Sequence, residues 1–289
     1  MTNKKLEAKR LVIFLLLAFG ISWIPAIIMN SVFGYHEWFE TYKMPFFALI
    51  VGFGPALANV ITRKLTHEGW NNSLLHLKLK GNLKYYLIAI ISVVAMGIAE
   101  GVLATIIYGK YDFSDIGGGM NGMQISGNVM LTLSVVVLMA FNTFGEEFGW
   151  RGYMNQKMEP LLGTTGTVIV GGIIWGLWHA ELTVAGHNFG TEYDGYPYLG
   201  ILAMCITCTF LGMGLMWLTK KTGSIYPAAI MHAAINFGGK SIGKLFISGI
   251  PENYTPTILD NLIVSIPTFM LCLIFFALMI SDKQKEKQA

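Results

Sequence analysis

Eight apolar stretches, each close to the ~20 residues needed to cross about 30 Å of hydrocarbon, leave this chain few ways to fold. They run over 11–29, 44–62, 85–107, 129–150, 164–183, 198–218, 224–246 and 258–280. Backbone N–H and C=O groups inside a bilayer must pair within their own segment, so apolar stretches of this length are helices. Charged residues make up only 13% of the chain, against about 25% for a water-soluble domain, too few to cover a water-facing surface. The fold class that follows is all-α: a polytopic membrane bundle of about eight transmembrane helices, one domain over 1–289 with a polar core at about 129–246.

The first stretch follows Lys4, Lys5, Lys9 and Arg10 in the manner of a signal peptide, but Leu11 to Met29 exceeds a typical secretory apolar core. It is expected to stay as a first span. The remaining basic residues alternate between loops. Arg63, Lys64, Lys78, Lys80 and Lys84 precede span three, Arg151 and Lys157 follow span four, Lys220 and Lys221 follow span six, and Lys283, Lys285 and Lys287 end the chain. The opposite loops hold only Lys43 and Lys110, with Lys240 and Lys244 as exceptions near span seven. Basic loops face the cytoplasm, so both termini are expected there, in a multi-pass protein of the cell membrane. Thr66–Lys84, with Trp70, Leu74, Leu75, Leu77 and Leu79, and Met154–Leu162 are expected to lie on that surface.

No basic block with interleaved aromatics marks a nucleic-acid partner. Cys205, Cys208 and Cys272 all fall in apolar runs, and the C-x-x-C at 205–208 reads as small residues in a membrane helix, because a metal or redox pair would need a counterpart. His36-Glu37-Trp38-Phe39-Glu40 looks faintly metal-like but sits in a loop.

Ionisable side chains within spans are costly and by default mark function. Gly145-Glu146-Glu147-Phe148-Gly149-Trp150-Arg151 closes span four, Trp175-Gly176-Leu177-Trp178-His179 lies in span five, and His232-Ala233-Ala234-Ile235-Asn236 lies in span seven. Of the six histidines, only His179 and His232 sit in apolar runs; His36, His67, His76 and His187 fall in loops. Residues four apart share a helical face, so the spacing predicts Glu147 beside Arg151, Trp175 beside His179 and His232 beside Asn236. Glu146 points about 100° away from Glu147. One acid can then pair with Arg151 while the other faces a cavity, a division of two carboxylates typical of acid–base sites.

Amide hydrolysis needs a group to deprotonate water, donors for the oxyanion and a proton for the leaving amine. A carboxylate can do the first and, once protonated, the third. Imidazole and asparagine N–H groups can serve the oxyanion. Two histidines and a glutamate could equally hold zinc and acidify its water. Both schemes remain open on the residues alone. Neither G-x-S-x-G nor H-E-x-x-H occurs. Glu147 with Arg151 also reads as a buried pair fixing helix packing, and Asn236 as a hydrogen bond between helices. Trp150, Trp175 and Trp178 read as packing or interface residues.

E-E-x-x-x-R at 146–151, aromatic-x-x-x-His at 175–179 and His-x-x-x-Asn at 232–236, in order and in three separate spans, resemble the signature motifs of the CPBP family. That family joins type II CaaX prenyl endopeptidases with the Abi bacteriocin-processing and immunity proteins. The resemblance implies an intramembrane metalloprotease-type endopeptidase in which Glu146 activates water, His179 works beside it, and His232 and Asn236 line the oxyanion pocket. Glu147 and Arg151 would steady the site. It leaves zinc an option, held by His179, His232 and Glu146. The implied substrate is a membrane-held peptide or lipidated protein tail. The rival expectations are a non-catalytic scaffold or regulator of the envelope, and a transporter using Glu146, His179 and His232 as a proton relay; the lack of an internal repeat counts against the transporter.

Overall fold

The computed structural model describes residues 3–34, 52–114, 116–251 and 254–288, and these form helices joined by irregular segments, without strands among the described residues. In order they are α1 (Lys4–Phe33), α2 (Gly54–Leu65), α3 (Leu83–Ile107), α4 (Gly122–Gly149), a π-helical turn (Trp150–Met154), α5 (Asn155–Trp178), α6 (Ala180–Val184), α7 (Tyr198–Thr222), α8 (Tyr226–Ala233), a second π turn (Ala234–Gly239), α9 (Lys240–Lys244), α10 (Ile258–Val264) and α11 (Ile266–Gln288). Five described stretches are long and apolar enough to cross a membrane, and one of them, the 57 residues of Gly122–Trp178, holds expected spans four and five together. The chain is a multi-pass membrane protein. Expected span seven is divided among α8, the second π turn and α9. The first part of expected span two, with Lys43 and His36–Glu40, lies outside the described residues.

Glycine pairs at i, i+4 set the closest helix contacts. In a bilayer, small residues at this spacing let backbones approach and replace lipid contact with packing. On α4, Gly145 and Gly149 face the start of α2, where a Cβ would collide with the Gly52 carbonyl and with Pro55. On α3, Gly97 and Gly101 abut the carbonyls of Gly239 and Gly243. On α5, Gly172 and Gly176 lie on the backbone of Thr209 and Cys205 in α7. Cys205 therefore serves as a small contact residue, as its apolar setting indicates.

Gly163 is the one residue of α5 outside helical geometry, with φ 69° in the left-handed region that suits glycine. There the chain reverses. Arg151 and Trp175 stand equally far from it, twelve residues on either side. At 1.5 Å per residue both lie roughly 18 Å from the turn, which brings the α4 end and the α5 end to one depth. The helix bearing Glu146 thus runs on past Met158, and Arg151 becomes an interior residue.

Charged side chains gather at the Gly163 end of the bundle. Glu7 pairs with Arg10 (2.9 Å) and Lys157 (3.0 Å), Lys157 also pairs with Glu68, and Lys283 meets Glu159 (3.3 Å). The starts of α1 and α5 and the ends of α7 and α11 therefore share one end, as the alternation of basic loops requires. One expectation is corrected here. Met154, Lys157 and Met158 are buried rather than lying on a surface, because Lys157 is drawn in by Glu7 and Glu68. Thr66–Lys84 is an irregular strap up to Asn82, with Trp70, Leu77 and Leu79 exposed but with Leu74 accepting from the Ile225 amide at the start of α8 (3.2 Å). Burial alone would raise the Glu68 carboxyl, but the hydrogen bond and charge of Lys157 outweigh it and hold it below the usual range. Its stabilising contribution is present above the ordinary carboxylate pKa and fades as pH falls through the depressed one.

Candidate active site

Glu146 and Glu147 occupy the last turn of α4, Arg151 the first π turn, Trp175 the last turn of α5, His179 the joint between α5 and α6, and His232 the last turn of α8. Glu147 is 0% and Glu146 6% exposed, and Arg151, Trp175, His179 and His232 are buried with them. Thr143 Oγ1 donates to the Ala229 carbonyl (2.7 Å), which sets the register of α4 on α8 and so of Glu147 on His232.

Glu147 Oε1 accepts from Arg151 Nη1 and from His232 Nδ1, both at 2.9 Å. The acid is thus shared between the guanidinium and a ring, where the i, i+4 spacing alone supplied only the Arg151 partner. Glu146 Oε2 accepts from Trp175 Nε1 (3.1 Å). The Trp175 carbonyl in turn meets His179 Nδ1 (2.8 Å), and the Arg151 guanidinium lies over the Trp175 ring, 4.2 Å from its centroid. Trp175 also meets the His232 ring edge-to-face at 5.3 Å. One tryptophan therefore ties together both carboxylate-bearing positions and both histidines.

These contacts set the tautomers. A carbonyl and a carboxylate oxygen only accept, so Nδ1 carries hydrogen in His179 and in His232, and Nε2 is the nitrogen each ring keeps for chemistry.

Asn236 is the correction. The spacing placed it on the His232 face, but it stands in the second π turn and is exposed. Among the described residues no hydrogen bond joins Asn236 to the cluster.

This geometry coincides with a family match. Residues 128–238 fit the model of the type II CAAX prenyl endopeptidase Rce1-like family. The three motifs all lie within the matched segment. The resemblance drawn from the three motifs is borne out by that match. Two curated relatives agree with it: CAAX prenyl protease 2 of Methanococcus maripaludis, 30% identical over 131 residues, and lysostaphin resistance protein A of Staphylococcus aureus, 28% identical over 152 residues. The matches cover 42% and 50% of this chain but only 46% and 33% of those proteins, so the chain spans less than half the length of either relative.

Among the described residues no three His, Cys, Asp or Glu side chains gather closely enough to hold an ion. His179 and His232 meet their protein partners through Nδ1 and Glu146 meets Trp175 through Oε2, so the contacts described leave each ring its Nε2. A cavity of about 10 Å³, the size of a single water site, lies under Arg151 and Trp175, walled by Gly171, Gly172 and Gly212.

Three residues escaped sequence reasoning. Trp175 shares the His179 face by spacing, yet nothing in that spacing announced its donation to Glu146. His187, placed in a loop, stacks parallel to His179 with ring centroids 6.4 Å apart. Glu100, an acid within span three, accepts from Thr268 Oγ1 on α11 (2.6 Å), away from the cluster. Its position in an apolar run was a legible signal.

Trp175→Phe keeps the ring face for Arg151 and removes only the N–H aimed at a buried carboxylate. The expected loss is about 1–3 kcal/mol of stability, measured by thermal or denaturant unfolding in detergent micelles. An unchanged transition would mean that the indole does not serve Glu146.

Proposed function

We propose that this chain is an intramembrane endopeptidase that hydrolyses a peptide bond in a membrane-held peptide or lipidated protein tail. The observation that carries this reading is the buried meeting of Glu146, Glu147, Arg151, Trp175, His179 and His232, drawn from helices far apart in sequence. Buried charge of this kind is costly in a bilayer unless it serves a reaction or a switch. The fit of residues 128–238 to a prenyl endopeptidase family, and a relative named for CAAX prenyl proteolysis, support the same class.

In the proposed reaction Glu146 accepts a proton from water while His179, through Nε2, accepts a hydrogen bond from the water's other O–H and orients the oxygen. The hydroxide adds to the scissile carbonyl carbon. His232, protonated and steadied by Glu147 at Nδ1, donates from Nε2 to the oxyanion, in the way a carboxylate supports an imidazolium in hydrolases. Collapse of the intermediate breaks the C–N bond, and protonated Glu146 returns its proton to the leaving amine. Trp175 holds Glu146 in place and Arg151 holds Glu147. Asn236 is assigned to the substrate backbone or the oxyanion, presented from the exposed side of its π turn. Both termini and the charged end of the bundle are assigned to the cytoplasm.

The test is reconstitution in proteoliposomes with three probes: a farnesylated CaaX peptide, the same peptide without lipid, and a leader-bearing apolar peptide, with products read by mass spectrometry. A defined internal cleavage of a membrane-held probe is the expected result, with a parallel chelator arm reading any zinc requirement. Absence of cleavage of all three by folded protein would overturn the reading in favour of a non-catalytic scaffold.

A further inference from the structure

The Glu146–Glu147 pair stands one turn before a π-helical turn, and what holds that turn in place lies on a different helix. Asn59 of α2 is 0% exposed. Its Nδ2 donates to the Phe148 carbonyl (2.8 Å), the peptide next to Glu147. Its Oδ1 accepts from Arg63 Nε (2.7 Å), so the amide can face only one way: a carbonyl needs the NH₂ and a guanidinium needs the oxygen. Arg63 is itself buried and anchored, donating to the Gly69 carbonyl (2.8 Å) and to Asn72 Oδ1 (3.0 Å), with its guanidinium 5.1 Å from the centroid of the Tyr153 ring in the π turn.

Where a helix passes from i+4 to i+5 bonding, carbonyls at the junction change partners, and a side-chain donor from outside decides where the change occurs. Moving the junction by one residue would turn Glu146 and Glu147 relative to the residues beyond it by a fraction of a residue step, enough to change which groups they reach. The close approach of α2 at Gly145 and Gly149 is what allows so short a side chain to reach the α4 backbone.

We infer that Asn59 is a positioning residue for the reactive carboxylates: it pins the Phe148 carbonyl, sets the start of the π turn, and so aims Glu146 at the histidines. Asn59 touches no reacting atom and acts through the α4 backbone. The inference rests on the endopeptidase reading for its kinetic consequence but not for its structural one.

The experiment has two arms. In the first, Asn59→Asp keeps an acceptor for Arg63 and removes the donor to Phe148; Asn59→Ala stands in if the charged variant does not reach the membrane. With a probe cleaved by the wild-type chain, kcat is expected to fall about tenfold or more at unchanged KM, as misplacement of a catalytic group does. Asn72→Ala, which trims only the far side of Arg63, is expected to stay within about twofold. In the second arm, Glu146→Cys is labelled in membranes by a small thiol reagent, with and without Asn59→Asp. Labelling is expected to change about tenfold or more when the pin is removed. Wild-type kcat together with unchanged labelling overturns the positioning role and leaves the reading of the site intact. Altered labelling in a chain that cleaves nothing keeps the positioning role and removes the endopeptidase.

Discussion

Glu146→Gln is expected to lower the rate of peptide cleavage by about 10³-fold while leaving the protein folded and at normal abundance. The amide fills the same volume and still offers an oxygen to Trp175 Nε1, so the indole contact that orients position 146 survives. What disappears is the ability to take a proton from water and return it to the amine, worth about 10²–10⁴ in rate. Initial rates in proteoliposomes at matched protein amounts, with elution profile as the folding control, measure it. A residual rate within tenfold of wild type would remove Glu146 as the base and leave the Glu147–His232 pair as the group to test.

Arg151→Ala is expected to destabilise the fold itself, by about 3–5 kcal/mol. Glu147 is fully buried, and its two cationic or proton-sharing partners are Arg151 and His232 on one oxygen. Removing the guanidinium leaves a buried carboxylate with a single imidazole, the situation in which a broken buried pair costs most. The ring face of Trp175 loses its cation as well. Unfolding in detergent should show the loss, and Glu147→Leu combined with Arg151→Leu should recover much of it, because an apolar pair of similar volume leaves no orphaned charge. A single variant within about 1 kcal/mol of wild type would mean that Glu147 is not ionised in the folded chain.

The pairing of Glu147 with Arg151 was readable from their spacing, and it forms although Arg151 stands in the π turn that follows α4. The partner of His232 was not, because α8 meets α4 only through contacts such as Thr143 with the Ala229 carbonyl. Asn236 shows the converse. Its i, i+4 relation to His232 placed it near that ring, but it stands on the exposed side of the second π turn, which has no sequence signature of its own. Asn59 carried no signal in the sequence, and its role depends on Gly145 and Gly149, more than ninety positions beyond the start of α2, as the close contact that admits it. Those glycines were in plain view as a small-residue pair, but a pair on one helix does not say which helix it will receive.

Hydropathy and the need to pair every backbone group in hydrocarbon are local constraints, so the sequence by itself determined that the chain is helical, that it spans a membrane many times, and which polar side chains are forced into its interior. Which of those groups touch was decided only in three dimensions. The reversal at Gly163, the glycine contacts between helices and the positions of the two π turns set the distances, and hydrogen bonds form or fail within fractions of an ångström that no one-dimensional pattern carries.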